Sequence, residues 1–218
     1  MDAAARVGLI QDRAARAGID VAAPMAAQLA RYVEILAAWN RRINLTALAV
    51  DPPAEAAIDR LIVEPLVAAK LLTAGDHLVM DIGSGGGSPA IPMKIAAPEC
   101  QFVLIEAKDR KSAFLREVVR QLALRDTEVR TARAETLPVP ASARDAADVV
   151  TLRAVRMDDA MVEAIRRQVR PGGRLFWFQS TESDRAAVPR GLDVIGAHDL
   201  VPGATSRLLV TQVATSSC

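Results

Sequence analysis

A chain of 218 residues that is 51% hydrophobic and 24% charged can bury a sizeable core, which excludes the disordered classes. Aromatic residues are only 3% and the formal net charge is +1, so the core is aliphatic and any nucleic-acid contact must come from a local basic surface. Cys100 and Cys218 show neither metal-ligand spacing nor a disulfide framework, and no apolar run approaches the roughly 18 residues of a membrane span.

The opening stretch "MDAAARVGLIQDRAARAG" carries Asp2, Arg6, Asp12 and Arg13 and lacks the apolar centre of a signal peptide. The expectation is a cytoplasmic protein without a structural metal. Residues 1–74 read as a helical extension. In "PMAAQLARYVEILAAWN", Pro24 suits a first helical turn, and Leu29, Val33 and Leu36 form a buried stripe with Met25 one turn earlier. Asp51-Pro52-Pro53 breaks the chain. Ala54 to Leu72 reads as a further helix with Ile58, Leu61, Ile62 and Leu66 inward, kinked or divided at Pro65.

From residue 75 to 218 the grammar is that of an α/β domain. Strands are predicted at His77–Asp81, Gln101–Glu106, Thr127–Thr131, Asp148–Leu152 and Arg174–Gln179, with helices near Ala90–Ala97, Arg110–Leu122 and Asp158–Val169. That alternation implies a parallel sheet with crossover helices on both faces. "LDVIGAHDL" and "SRLLVTQVA", joined through Pro202-Gly203, read as a terminal antiparallel hairpin that brings the sheet to seven strands.

Within "VMDIGSGGGSPAIPM", four glycines crowd into five positions between a predicted strand and a helix. A phosphate loop needs a terminal Gly-Lys-Ser/Thr, which Ser88-Pro89 does not supply. A dinucleotide loop of the G-x-G-x-x-G type would place its third glycine at Ser88. The remaining pattern, acidic-x-G-x-G-x-G, is filled by Asp81, Gly83, Gly85 and Gly87 and suits S-adenosyl-L-methionine (SAM), which carries a sulfonium and an ammonium but no phosphate. Glu106, ending the second strand, stands where a carboxylate accepts ribose hydroxyls.

"WNRRINLTAL", the glycine loop, "LIEAKDRKSAFLREV" and "VVTLRAV" occur in an order and spacing that resembles the bacterial 16S ribosomal RNA guanine-N7 methyltransferases, the glucose-inhibited division protein B family, from about Ala17 onward. The Trp-Asn-x-x-x-Asn-Leu-Thr box and the loop ending Pro-x-Ile-Pro are its most specific parts. The resemblance implies a Rossmann-like SAM-dependent methyltransferase domain behind a helical extension, with 16S ribosomal RNA of the small ribosomal subunit as partner. It carries cofactor positions over to Gly83, Ser88, Ala134, Glu135 and Arg153. The chain departs from the family pattern twice: Leu61-Ile62-Val63-Glu64-Pro65 replaces a His-x-x-Asp-Ser motif, and Gln179-Ser180 stands where a lysine is usual. A SAM enzyme for another RNA or small molecule, and a non-catalytic RNA-binding or assembly factor that keeps the pocket, are the competing readings.

Guanine N7 presents a lone pair and has no proton to lose, so the chemistry asks for alignment and a dry pocket rather than a general base or metal. Arg153 is the candidate catalytic residue on the pocket wall; as plain structure it would instead pair with Asp148 or Glu135. Lys108, Arg110, Lys111, Arg116 and Arg120 cluster around one helix, and Arg41 and Arg42 lie beside Trp39; these seven are the candidate RNA contacts. Trp39 and Trp177 read as packing residues, and Asn40 and Asn44 as turn-fixing side chains. A monomer is expected.

Overall fold

In the computed structural model, which describes residues 1–180, 188–203 and 206–213, the alternating apolar runs of the chain's second part align into one seven-stranded sheet. Its strands are β1 (Leu78–Ile82), β2 (Gln101–Glu106), β3 (Thr127–Thr131), β4 (Ala147–Arg153), β5 (Val169–Ser180), β6 (Leu192–Asp199) and β7 (Ser206–Val213). The order is β3-β2-β1-β4-β5-β7-β6, parallel except for β7, which runs antiparallel to both β5 and β6. The expected terminal hairpin is therefore present. Cys218 and the last residue of "SRLLVTQVA" lie outside the described residues.

The helices are α1 (Ala3–Arg16), α2 (Ala23–Asn40), α3 (Glu55–Ile58), α4 (Glu64–Ala69), α5 (Ala90–Ala96), α6 (Asp109–Gln121) and α7 (Asp159–Gln168). The stretch expected as one helix from Ala54 to Leu72 is divided: a π-helical turn, Asp59–Val63, separates α3 from α4. Pro65 lies in the first turn of α4, where its missing N–H leaves no helical bond unmade. The strand expected at Arg174–Gln179 begins five residues earlier. Arg170-Pro171-Gly172-Gly173, a turn by composition, is absorbed into β5 through an irregularity in its pairing with β4.

Strand alternation splits the interior into two layers. Val79, Phe102, Leu104, Val149, Phe176 and Phe178 on one side share an apolar cluster with α2, α4, α5 and α6, and α1 joins it by packing on α2. Met80, Val103, Ile105, Val150, Leu152 and Trp177 face α7 on the other. Residues 1–74 share the first layer with the sheet: Ile10, Leu29, Leu36 and Ile62 are fully buried in the same apolar cluster as Val79 and Ile91.

The blunt end of the sheet is pinned by Asp148, whose carboxylate accepts the backbone N–H groups of His77 (2.7 Å) and Leu78 (2.8 Å) and pairs with Arg170. Burial alone raises its pKa, but the two N–H donors and the guanidinium outweigh it and hold the carboxyl below its ordinary value. A depressed folded pKa contributes stability above about pH 3.9 that is lost as pH falls through the folded value. The melting temperature of the wild type is thus expected to fall more steeply below about pH 4 than that of Asp148→Asn, measured by calorimetry across a pH series.

Candidate functional site

The strand order reverses direction between β1 and β4, and a crevice opens there at the carboxyl ends of the strands. The glycine loop fills this position. The N–H groups of Gly83 and Ser84 both donate to the Ile105 carbonyl at the end of β2, at 2.9 and 3.0 Å. The Gly85 N–H donates to Glu106 Oε2 and the Lys108 N–H to Glu106 Oε1, each at 2.9 Å. Gly83 has φ +74°, and a Cβ there would lie 2.5 Å from Val155 Cγ2. Gly87 has φ +88°, and its Cβ would press on Ile91 at 2.9 Å and the Tyr32 ring at 3.3 Å.

The extension supports the loop from beneath. Tyr32 of α2 is fully buried and donates its hydroxyl to the Gly86 carbonyl at 2.6 Å; burial raises its pKa, which keeps the phenol a donor. Ser88 donates to the Leu61 carbonyl at 2.9 Å, in the π-helical turn. Asn40 closes the turn after α2, accepting from the N–H groups of Leu45 (2.9 Å) and Thr46 (3.0 Å) while donating to the Thr46 carbonyl (3.0 Å). Asn44 instead is exposed. Tyr32→Phe leaves the Gly86 carbonyl without its buried donor and is expected to cost about 1–3 kcal/mol in chemical denaturation.

Two cavities flank Gly83. One, of about 270 Å³, is walled by Thr46, Arg60, Leu61, Ser88, Lys111 and Arg153. The other, of about 160 Å³, is walled by Ile105, Glu106, Ala134, Glu135, Val155 and Met161. Gly83, Gly85, Ser88, Glu106, Ala134, Glu135 and Arg153 thus surround one split crevice. Gly87 and Asp81 lie in a different place, behind it. Asp81 is only 1% exposed and lines neither cavity. Its Oδ1 accepts from Thr151, its Oδ2 has no partner, and burial raises its pKa.

These residues fit SAM. The small, largely apolar cavity would take an adenosine end, since each Glu106 oxygen keeps a second lone pair beyond its one backbone donor. The larger cavity, more polar than the first, would take the amino-acid end and face the acceptor base, and the missing Cβ at Gly83 leaves the bridge between the two open.

Arg153 lines the larger cavity, but its donors are directed into the protein. Nη1 donates to the Arg60 carbonyl and to Ser88 Oγ (3.3 Å), Nη2 pairs with Glu64 Oε2 at 2.8 Å, and the guanidinium lies 4.2 Å from the Phe178 ring centre. Neither Asp148 nor Glu135 is its partner: Asp148 holds Arg170, and the Glu135 carbonyl accepts from Arg167. Burial lowers the Arg153 pKa to about 10, against the opposing pull of Glu64, so it stays charged at neutral pH. Glu64, 2% exposed and also bonded to Ser206, is the residue that sequence reasoning missed. Its signal was present: it falls at the acidic position of the replaced His-x-x-Asp-Ser motif.

The seven basic candidates divide. Arg42, Lys108, Arg110 and Lys111 line one cleft beside the crevice. Arg41 pairs with Asp51 (2.8 Å), Arg120 with Glu117 (2.7 Å), and Arg116 bonds Thr131 (2.7 Å) at the edge of β3. Trp39 meets Phe114 edge to face at 5.8 Å, and Trp177 is 5% exposed, so both pack. Among the described residues, no group of His, Cys, Asp and Glu is arranged to hold a metal, and no helix is long and apolar enough to cross a membrane.

Residues 25–190 match the family described as GidB, rRNA small subunit methyltransferase G. The chain is 36% identical over 201 residues to the ribosomal RNA small subunit methyltransferase G of Chloroflexus aggregans, covering 88% of this chain and 83% of that one. It is 38% identical to the enzyme of that name from Roseiflexus castenholzii, covering 85% and 82%. Among solved structures, a SAM-dependent methyltransferase from Aquifex aeolicus superposes with a TM-score of 0.57 at 15% identity, over 73% of this chain and 93% of that one, which shows a shared fold.

Proposed function

The chain belongs to the rRNA small subunit methyltransferase G family, and from that premise we propose that it transfers a methyl group from SAM to a guanine N7 of 16S ribosomal RNA in the small ribosomal subunit. The observation that supports the reading is the split crevice around Gly83, with the Glu106 carboxylate on one side and a chamber of mixed polarity open to the surface on the other.

SAM supplies an electrophilic methyl on a sulfonium. The chain's own residues bind, orient and exclude water. Glu106, itself held by the Gly85 N–H, fixes the cofactor's ribose end; Ala134 and Glu135 close the small cavity; Thr46, Arg60 and Leu61 wall the chamber for the base. N7 has no proton to give up, so no side chain has to act as a base. One positive charge moves from sulfur to the guanine ring and none is created, which lets a largely desolvated pocket serve both states. Arg153 acts as a positioning residue that locks the π-helical turn and Ser88 to the end of β4.

Incubation with methyl-labelled SAM and small subunits, naked 16S ribosomal RNA or small-molecule pools tests this. Label at guanine N7 in RNA is the expected result. Label only in a small molecule, or SAM binding without turnover, overturns it.

A further inference from the structure

We propose that the cleft between the turn after α2 and the start of α6 seats the phosphodiester backbone next to the methylated guanosine. The proposal rests on the rRNA methyltransferase reading and specifies how the substrate is held beside the reacting base.

The cleft is a concavity of about 470 Å³ lined by Arg42, Ile43 and Asn44 on one side and by Lys108, Asp109, Arg110 and Lys111 on the other. It gathers four cations against one carboxylate. Arg42, Lys108, Arg110 and Lys111 form no ion pair or side-chain hydrogen bond among the described residues, whereas nearby Arg41, Arg116 and Arg120 each have a partner. Four like charges facing one concavity repel one another, and a polyanion relieves that repulsion while releasing its own counterions.

Position selects the occupant. Lys111 lines both this cleft and the larger cavity at Gly83, and its Nζ lies 3.9 Å from where a Gly85 Cβ would stand. A phosphate held by Lys108, Arg110 and Arg42 therefore has Lys111 between it and the chamber that receives the base. The exposed Asn44 offers an amide and the half-buried Ile43 an apolar surface for a sugar. Asp109 disfavours a second phosphate at its own position and offers an acceptor for a 2′-hydroxyl, which matches RNA. No exposed aromatic lines the cleft, so it grips the backbone and leaves the base free to enter the chamber.

The test compares Lys108→Glu/Arg110→Glu with Arg16→Glu/Arg130→Glu, which changes net charge equally at positions outside the cleft. Steady-state methylation of small subunits and binding to naked 16S ribosomal RNA are measured across a salt series, with SAM affinity determined separately. The cleft variant is expected to raise KM for RNA about tenfold or more and to flatten the log–log salt slope by about one to two, with SAM affinity within about twofold of the wild type. The control pair is expected to change KM by less than about threefold.

Equal effects of the two pairs overturn the cleft assignment and leave the methyltransferase reading standing. A defect on subunits with intact binding to naked RNA overturns it in favour of a ribosomal protein as occupant. Failure of the wild type to label any RNA overturns the reading on which the proposal rests.

Discussion

Replacing Glu64 with alanine is expected to destabilise the protein by about 3–5 kcal/mol, because it leaves the largely buried Arg153 guanidinium without its carboxylate. Glu64 is 2% exposed and the Arg153 side chain 8%, so solvent makes up only a small part of the loss. Ser206 loses its acceptor at the same time. Removing both charges together behaves differently: Glu64→Leu with Arg153→Met leaves only Arg60, which pairs with Glu64 at 3.7 Å but is 30% exposed, without its carboxylate, and should recover a large part of the loss in urea denaturation. Additive costs would show that the two side chains are not an internal pair. The double variant should still bind SAM poorly, because Ser88 and the Arg60 carbonyl lose the donor that joins them to β4.

Gly83→Ala is expected to lower SAM affinity about a hundredfold, the scale of a misplacement of about 1 Å in a binding constellation. Two effects combine. The backbone at φ +74° disfavours any side chain, by about 1–2 kcal/mol. The new Cβ also lies 2.5 Å from a Val155 methyl, whose β-branched side chain has little rotameric freedom. Val155→Ala removes the second effect but not the first, so isothermal titration of the double variant should recover part of the affinity. Full recovery would mean that backbone conformation is irrelevant, and none would mean that Val155 is not the obstacle. Gly8 gives the control: a Cβ there meets nothing within 4 Å, and Gly8→Ala in helical α1 should stabilise by about 1 kcal/mol without affecting SAM.

The sheet was legible because its central strands are buried on both faces and punctuated by glycine and proline. Gln101–Glu106 falls where the apolar pattern places it, whereas Thr127–Thr131, an exposed edge strand whose one apolar residue is Val129, falls where the strand–helix alternation places it. The extended start of β5 was not, since Pro171-Gly172-Gly173 carries turn chemistry and joins the sheet only through tertiary pairing with β4. The glycine loop and Glu106 were readable from local spacing. Asp81 was readable as an acid but not by its place: strand alternation sends its side chain behind the loop, among Thr151 and Tyr32, and off the crevice wall. The Arg153 partner could not be found by searching nearby segments, because Glu64 lies 89 positions away on a helix whose π-helical turn shifts the register of its inward face.

Tyr32 beneath Gly86 and Gly87 has an evolutionary consequence. A fold of this kind invites recombination, with the sheet exchanged as a cassette and the helices kept or discarded. Here the cassette would arrive without its floor, since the hydroxyl that holds the Gly86 carbonyl and the ring that abuts Gly87 belong to α2. Chimaeras joined near residue 74 should lose cofactor binding unless the position facing Gly86 keeps a tyrosine. The heritable unit in this lineage is then the helices and sheet together, and sequence drift in α2 is bounded by the cofactor it never touches.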